Sequence, residues 1–288
     1  MTNKDQQVIG AHVSISGGFY KAIEEGESIG CTAIQIFTKS NRQWASKAIS
    51  QEDAYAFLDA QKKSSIRIVV AHASYLINLG SNNLEVQQKS LTALIEEIKR
   101  CHKLQIPYLV LHPGTAQKEK IKETISQTGK LINQTLEQTK DCSVSILLET
   151  MAGQGTSIAS SFEELAMMIE QINDKNRIGV CFDTCHVFAA GYDLRTKENY
   201  TKTFQAFNRI IGLNYLKLFH INDSKKELGS RVDRHENIGQ GAIGLNAFSL
   251  IMNDPQFKKI PKIIETPVGE NELEDHLRNI QILLKLCL

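Results

Sequence analysis

Eight short apolar runs, each followed by a segment of helical length, constrain this chain more than any other feature. The clearest is Arg177-Ile-Gly-Val-Cys-Phe-Asp-Thr-Cys-His186. Its Ile178–Phe182 stretch has the length and apolar character of a strand buried on both faces. It ends on Asp183, and His186 follows three residues later. Five other runs end in the same way: Ile66–Ala71 on His72, Tyr108–Leu111 on His112, Val144–Leu148 on Glu149, Tyr215–Phe219 on His220, and Ile263–Ile264 on Glu265. One such residue alone reads as a strand-end cap or a core histidine. Repetition over six strands points to side chains converging outside one end of a sheet.

The remaining segments complete an alternation. Val8–Ile15, stopped by Gly17-Gly18, and Thr32–Phe37 are the first two expected strands. Helices are expected over Phe19–Ile29, Gln51–Lys63, Leu84–His102, Gln117–Gln138, Asn199–Ile211 and Leu245–Met252. A Ser161-x-x-Glu164 capping box opens another, running to Ile172. Leu273, Leu277, Ile280 and Leu284 form the apolar face of the last. Residues 222–244 read as a long polar loop, and no Pro/Gly/Ser linker divides the chain. Strand then helix, eight times over, predicts a parallel sheet closed into a single (β/α)8 TIM barrel, one domain over residues 1–288. A doubly wound open sheet is the alternative, but one switch point would not gather side chains from six strands. In such barrels the C-terminal ends of the strands carry the chemistry.

Composition excludes several function classes. Lys plus Arg is 33 and Asp plus Glu is 32, a net charge of +1, so no global basic field draws in nucleic acid and any such contact must be a local patch. The six cysteines show no framework spacing, and no secretory signal is apparent, so reduced thiols and a cytoplasmic location are expected. No apolar run is long enough for a membrane span. Gly239-Gln-Gly-Ala-Ile-Gly244 matches a dinucleotide fingerprint but follows a polar loop instead of a strand, so no nucleotide cofactor is expected. A G-x-S-x-G elbow is absent.

The strand-end residues, with Asp233-Arg-His235 from the long loop, place five of the eight histidines and four carboxylates at one barrel face. Imidazole and carboxylate without thiolate suit zinc, or manganese, in a hydrolytic site. Asp233 and His235 project to the same side of an extended segment. Nine ligands exceed the needs of one ion, and two or three ions sharing carboxylates fit better; a metal pair about 4 Å apart serves displacement at phosphorus. His12, His102 and His276 are read as structural. Cys181 shares strand parity with Asp183 and is read as packing inside the barrel.

The most specific stretches are Phe37-Thr-Lys-Ser-Asn-Arg-Gln-Trp44, Ser74-Tyr-Leu-Ile-Asn-Leu-Gly80, His112-Pro-Gly114, Asp183-Thr-Cys-His-Val-Phe-Ala-Ala-Gly-Tyr-Asp193, His220-Ile-Asn-Asp-Ser-Lys225 and Gly229-Ser-Arg-Val-Asp-Arg-His235. In these the chain resembles the endonuclease IV family, DNA-repair endonucleases that cut at abasic sites, from Gly10-Ala-His-Val-Ser14 to Glu265-Thr-Pro267. The resemblance implies three zinc ions, with manganese an alternative at one or more. His72, His112 and Glu149 would hold the first. Glu149 would bridge to the second, completed by Asp183, His220 and Glu265. His186, Asp233 and His235 would hold the third. Two departures stand beside the ligands: Ala73 where some members carry Asp, and Thr150-Met151 where Asn-Thr is common.

The implied reaction is hydrolysis 5′ to an abasic deoxyribose in duplex DNA, leaving a 3′-hydroxyl, with Glu149 catalytic and 3′-end cleaning alongside. A monomer is expected. Lys39, Arg42, Lys225, Arg231 and Arg234 are candidate DNA contacts at the metal face. Arg42, Tyr75 and Leu76 are candidates for insertion at the lesion, and Trp44 for folding back over the rim. The rival class is a metal-dependent sugar isomerase or epimerase on the same barrel. It needs neither Asp233-x-His235 nor exposed aromatic and basic loops. A non-catalytic DNA-binding scaffold would not need nine ligands.

Overall fold

The computed structural model describes residues 7–288, the side chain of Lys118 excepted. Eight parallel strands close into a barrel: β1 (Ile9–His12), β2 (Ala33–Phe37), β3 (Ile68–His72), β4 (Tyr108–Leu111), β5 (Ser145–Glu149), β6 (Ile178–Asp183), β7 (Leu216–His220) and, after a two-stranded ribbon of β8 (Asp223–Ser224) and β9 (His235–Glu236), β10 (Lys262–Ile264). β1 pairs with both β2 and β10, which closes the ring. Around it run α1 (Phe19–Ser28), α2 (Gln51–Lys63), α3 (Leu84–Lys103), α4 (Ile121–Gln138), α5 (Phe162–Gln171), α7 (Lys197–Ile210), α8 (Leu245–Asn253) and α9 (Glu272–Lys285), with a short α6 (Thr184–Ala190) directly after β6. The expected barrel is therefore observed, and the open sheet is not.

Two layers of core follow from strand parity. Outward-facing residues meet the helices: Phe182 packs its ring 5.1–5.8 Å from those of Phe204, Phe207 and Phe219. Each such fully buried aromatic contributes roughly 2–3 kcal/mol of apolar transfer. Inward-facing residues form a separate small cluster of Ala33, Val70, Val110, Leu147, Cys181, Leu218 and Ile263. Gly10, paired with Ala33 and Ile263, completes that ring. A Cβ there would lie 1.6 Å from the Ala33 carbonyl oxygen, so only glycine lets β1 and β2 close. Cys181 is thus interior packing.

The helix starts follow local chemistry. The side chains of Ser50, Asn83, Ser161 and Asn271 each accept a backbone N–H in the first turn of the helix they precede. The expected capping box is displaced by one residue, because the Glu164 carboxylate accepts from the N–H of Ser160, not Ser161. Two elements lie outside the sequence expectation: α6 and the β8–β9 ribbon, which falls within the segment read as loop.

Candidate metal centre and DNA-facing mouth

Two residues beyond each apolar inward residue, the chain places a polar one. Val70 is followed by His72, Val110 by His112, Leu147 by Glu149, Cys181 by Asp183, Leu218 by His220 and Ile263 by Glu265. Period-two alternation therefore stacks a ring of ligand-type side chains on a ring of hydrocarbon. The same rule adds His12 after Gly10 and Gln35 after Ala33, neither expected at the site. Parity on the first two strands is the signal that could have found them.

Glu149 is fully buried at the centre. Its Oε2 lies 3.3 Å from His72 Nε2 and 3.0 Å from His112 Nε2. Its Oε1 lies 3.0 Å from His220 Nδ1 and 3.3 Å from His186 Nδ1. One carboxylate thus presents each oxygen to a different group. Burial alone would raise its pKa, but the charges of His220 and His112 outweigh it and hold the carboxyl well below the usual range. The complementary effect appears on His220: burial disfavours its charged form, yet the neighbouring Cys181, Glu265 and Glu149 hold its pKa well above the ordinary value. Such geometry rewards positive charge at this point, whether on a proton or a metal ion.

Among the described residues four groups have ligand atoms close enough to share an ion: His72, His112 and Glu149; Glu149, Asp183, His220 and Glu265; Asp183, His186 and His235; and Cys185, Asp233 and His235, which shares His235 with the third and adds a buried thiol beside it. Asp233 also joins the third, with Oδ2 3.2 Å from His186 Nε2 and Oδ1 3.4 Å from His235 Nε2. All nine expected residues are brought together, and Asp183 lies between two clusters. Both His186 Nε2 and His235 Nε2 are buried without a hydrogen-bond partner. Two orphaned imidazole nitrogens facing one carboxylate fit a divalent cation.

The tautomers are set from behind. His72 Nδ1 donates to the Ala73 carbonyl (2.7 Å), His186 Nδ1 to that of Thr150 (2.8 Å), and His235 Nδ1 to that of Glu265 (3.0 Å). Each leaves Nε2 for the cluster. His220 is turned over: Nε2 donates to Gln35 Oε1 at 2.8 Å, leaving Nδ1. The Gln35 amide also donates to Glu265 Oε1 at 2.6 Å and meets His12 Nδ1 at 2.9 Å. Asn222 donates to Asp183 Oδ2 and accepts from the Glu265 N–H, both at 2.7 Å. These outer contacts are what orient ligands in a metal site. Of the two departures, Thr150 is built into the site, its hydroxyl accepting the Asp183 N–H at 2.9 Å, and Ala73 is buried.

Local structure explains how β6 delivers two ligands. Asp183 caps α6, its Oδ1 accepting the His186 N–H at 2.7 Å, so the capping role and the site role coincide. Gly191, in the left-handed region at φ 111°, ends the helix.

The rim carries Arg42, Lys225, Arg231 and Arg234, all exposed. Arg231 lines a cavity of about 670 Å³ with Gly153, Ser160 and Glu164. Tyr75 is 56% exposed, its ring 5.3 Å from that of His72 and 5.4 Å from that of His112, and Leu76 beside it is half-buried. Trp44 packs back onto the core, as expected. Lys39 requires correction. It is buried, its ammonium donating to the carbonyls of Gln43 (3.0 Å) and Trp44 (2.9 Å), 3.7 Å from the Glu97 carboxylate. An ammonium so enclosed braces the Arg42–Trp44 loop from within and has no face for a phosphate.

Residues 23–286 match the family model of xylose isomerase-like TIM barrels. The chain is 48% identical over 277 residues to a probable endonuclease 4 of Chloroflexus aurantiacus, spanning 96% of this chain and 97% of that protein. It superimposes on the crystal structure of endonuclease IV from Thermus thermophilus with a TM-score of 0.85 at 35% identity, covering 96% of this chain and 98% of that one. A D-tagatose 3-epimerase-like protein, 18% identical with a TM-score of 0.72 over 96% of both chains, shares the fold alone. Full-length identity at this level, on a barrel whose mouth gathers these histidines and carboxylates, shows that the chain belongs to the endonuclease IV family.

Proposed function

We propose that this chain is a zinc-dependent DNA-repair endonuclease that hydrolyses the phosphodiester 5′ to an abasic site in duplex DNA, leaving a 3′-hydroxyl and a 5′-deoxyribose phosphate. The observation that carries the reading is the set of interlocking clusters with orphaned nitrogens on His186 and His235. His72, His112 and Glu149 would hold one ion, Asp183, His220 and Glu265 with Glu149 a second, and His186, Asp233 and His235 a third. Zinc held there would supply Lewis acidity, which acidifies water and neutralises charge at phosphorus. Glu149, with one oxygen toward each of two clusters, would serve both and orient the attacking water.

The rim residues select the substrate. A nucleotide must leave the stack before its 5′ phosphate reaches the barrel mouth, at a cost of a few kcal/mol that is least where no base is paired. Arg42, Tyr75 and Leu76 fill the vacated space, as wedges do in other bent duplexes. Lys225, Arg231 and Arg234 meet phosphates. The same centre would trim blocked 3′ ends. The chain works as a monomer and a single domain, in the cytoplasm. A sugar epimerase on this fold would have no use for the exposed arginines or the Asp233–His235 pair.

Elemental analysis of protein purified without chelator, combined with cleavage of a duplex carrying one abasic analogue, tests the reading. About three zinc ions per chain and incision 5′ to the analogue are expected. One ion or none, or equal cleavage of intact duplex, refutes it.

A further inference from the structure

The Gly239-Gln-Gly-Ala-Ile-Gly244 segment, which resembles a phosphate-cradling motif in sequence alone, does cradle an anion, and the anion belongs to the chain. Asp223 on β8 is fully buried. Its Oδ2 accepts the N–H groups of Gly239 (3.0 Å), Gly241 (3.1 Å) and Gly244 (3.3 Å). Its Oδ1 accepts those of Ile243 (2.9 Å) and Ser224 (2.8 Å). Convergent backbone N–H groups of this kind are a general device for holding negative charge. Glycine is required at its centre, since a Cβ on Gly241 would lie 2.4 Å from the Ser224 carbonyl oxygen and 2.5 Å from Asp223 Oδ1.

The cradle sits against the elements that carry His235. Asp223 pairs with Glu236, and Ser224 with His235, across the β8–β9 ribbon. The Ala242 N–H donates to the Ser224 carbonyl, and the Lys225 N–H to that of Arg234, at 2.8 and 2.9 Å. Asp233 and His235 reach the mouth on one side of this ribbon, and the Gly239–Gly244 segment returns on the other. A ribbon of two residues per strand has little stability of its own. The carboxylate at its root supplies what the strands lack.

We propose that Asp223 is the positioning residue of the Asp233–His235 cluster, acting as resident anion of a five-donor backbone cradle that will accept a small carboxylate when the side chain is removed. This rests, in its consequence for metal, on the reading of His186, Asp233 and His235 as ion-holding residues. Asp223 itself belongs to none of the ligand groups, and its carboxylate faces backbone N–H donors.

The experiment compares wild type with Asp223→Ala, Gly241→Ala and His235→Ala. In metal-free Asp223→Ala, formate should move the amide resonances of Gly239, Gly241 and Gly244 saturably, and chloride at equal ionic strength should not. In the metal-loaded proteins, one of three ions should bind at least about tenfold more weakly in Asp223→Ala, as in other losses of outer-sphere support. Formate should recover that affinity. His235→Ala should lose the same ion with no recovery, and Gly241→Ala should weaken it although Asp223 is intact. Glycine amides that ignore formate overturn the cradle, and so does Asp223→Ala with wild-type affinity while His235→Ala loses an ion. An ion count unchanged by all three substitutions sinks the metal reading instead, and the amide shifts still decide the cradle.

Discussion

Lys262 offers a test of the fold's energetics that is independent of the metal centre. The residue begins β10 and is fully buried. Its ammonium donates to the carbonyls of Phe257 (2.7 Å) and Ile260 (3.0 Å). Burial, with no carboxylate partner among the described residues, moves its pKa from 10.5 down to about 8. A shift of that size is about 3 kcal/mol of penalty on the charged form. Below pH 8 both folded and unfolded chains carry the proton, and the penalty is fully present. Between pH 8 and 10.5 the unfolded chain holds the proton and the folded chain does not, so stability rises with pH. Above 10.5 the penalty is gone.

Lys262→Met keeps the apolar stem and removes the titration. The gain in unfolding free energy between pH 7 and pH 10 should therefore be larger in wild type than in the variant by roughly 2–3 kcal/mol. Urea unfolding at a series of pH values, followed by far-ultraviolet circular dichroism, measures it. Pairing each wild-type curve with the variant's cancels titrations common to both. Parallel profiles from pH 7 to 10 would refute the argument, because a lysine that costs nothing when charged cannot be held as the structure describes.

Three further outcomes bear on function. Glu149→Gln should bind abasic duplex with near-normal affinity and cut it about 100-fold more slowly or worse, since ligand and orienting roles fall together; single-turnover cleavage showing near-normal rates would remove the bridging role. Tyr75→Ala combined with Leu76→Ala should keep its metal and lose roughly 10- to 100-fold in affinity for abasic duplex, the scale of lost stacking contacts, read by fluorescence anisotropy; parental affinity would end the wedge idea. Chelation should lower the thermal midpoint, because an ion held at about 1,000 times its dissociation constant stabilises the fold by roughly 4 kcal/mol, and an unchanged midpoint in differential scanning calorimetry would mean that nothing bound the clusters.

The barrel and six of the nine clustered side chains are legible in the sequence because both depend on period two; His186 on α6 and the Asp233–His235 pair lie off the barrel strands and are read from their nearness to that pattern. A strand that is apolar on both faces announces itself, and the residue two past its inward member must project from the barrel's end. That reasoning stops where the sequence ceases to be periodic. His12 and Gln35 obey the same parity, but β1 carries Gly10 and β2 carries Ala33 where the other strands carry Val, Leu, Cys or Ile, so their inward positions have a weaker apolar signature. The β8–β9 ribbon has two residues per strand, too short for any pattern to register. Lys39 escapes for a different reason: charge in a polar loop reads as exposed by default, and its partner Glu97 lies far along the chain on α3, where it also accepts the Ser74 N–H at 3.1 Å. Long-range pairing of this sort leaves no local trace. Its consequence is mechanical. Ser74 precedes Tyr75 and Lys39 precedes Arg42, so the Lys39–Glu97 contact joins the roots of the two loops that carry the proposed wedge residues. A residue expected at the DNA instead ties together the two loops proposed to reach it.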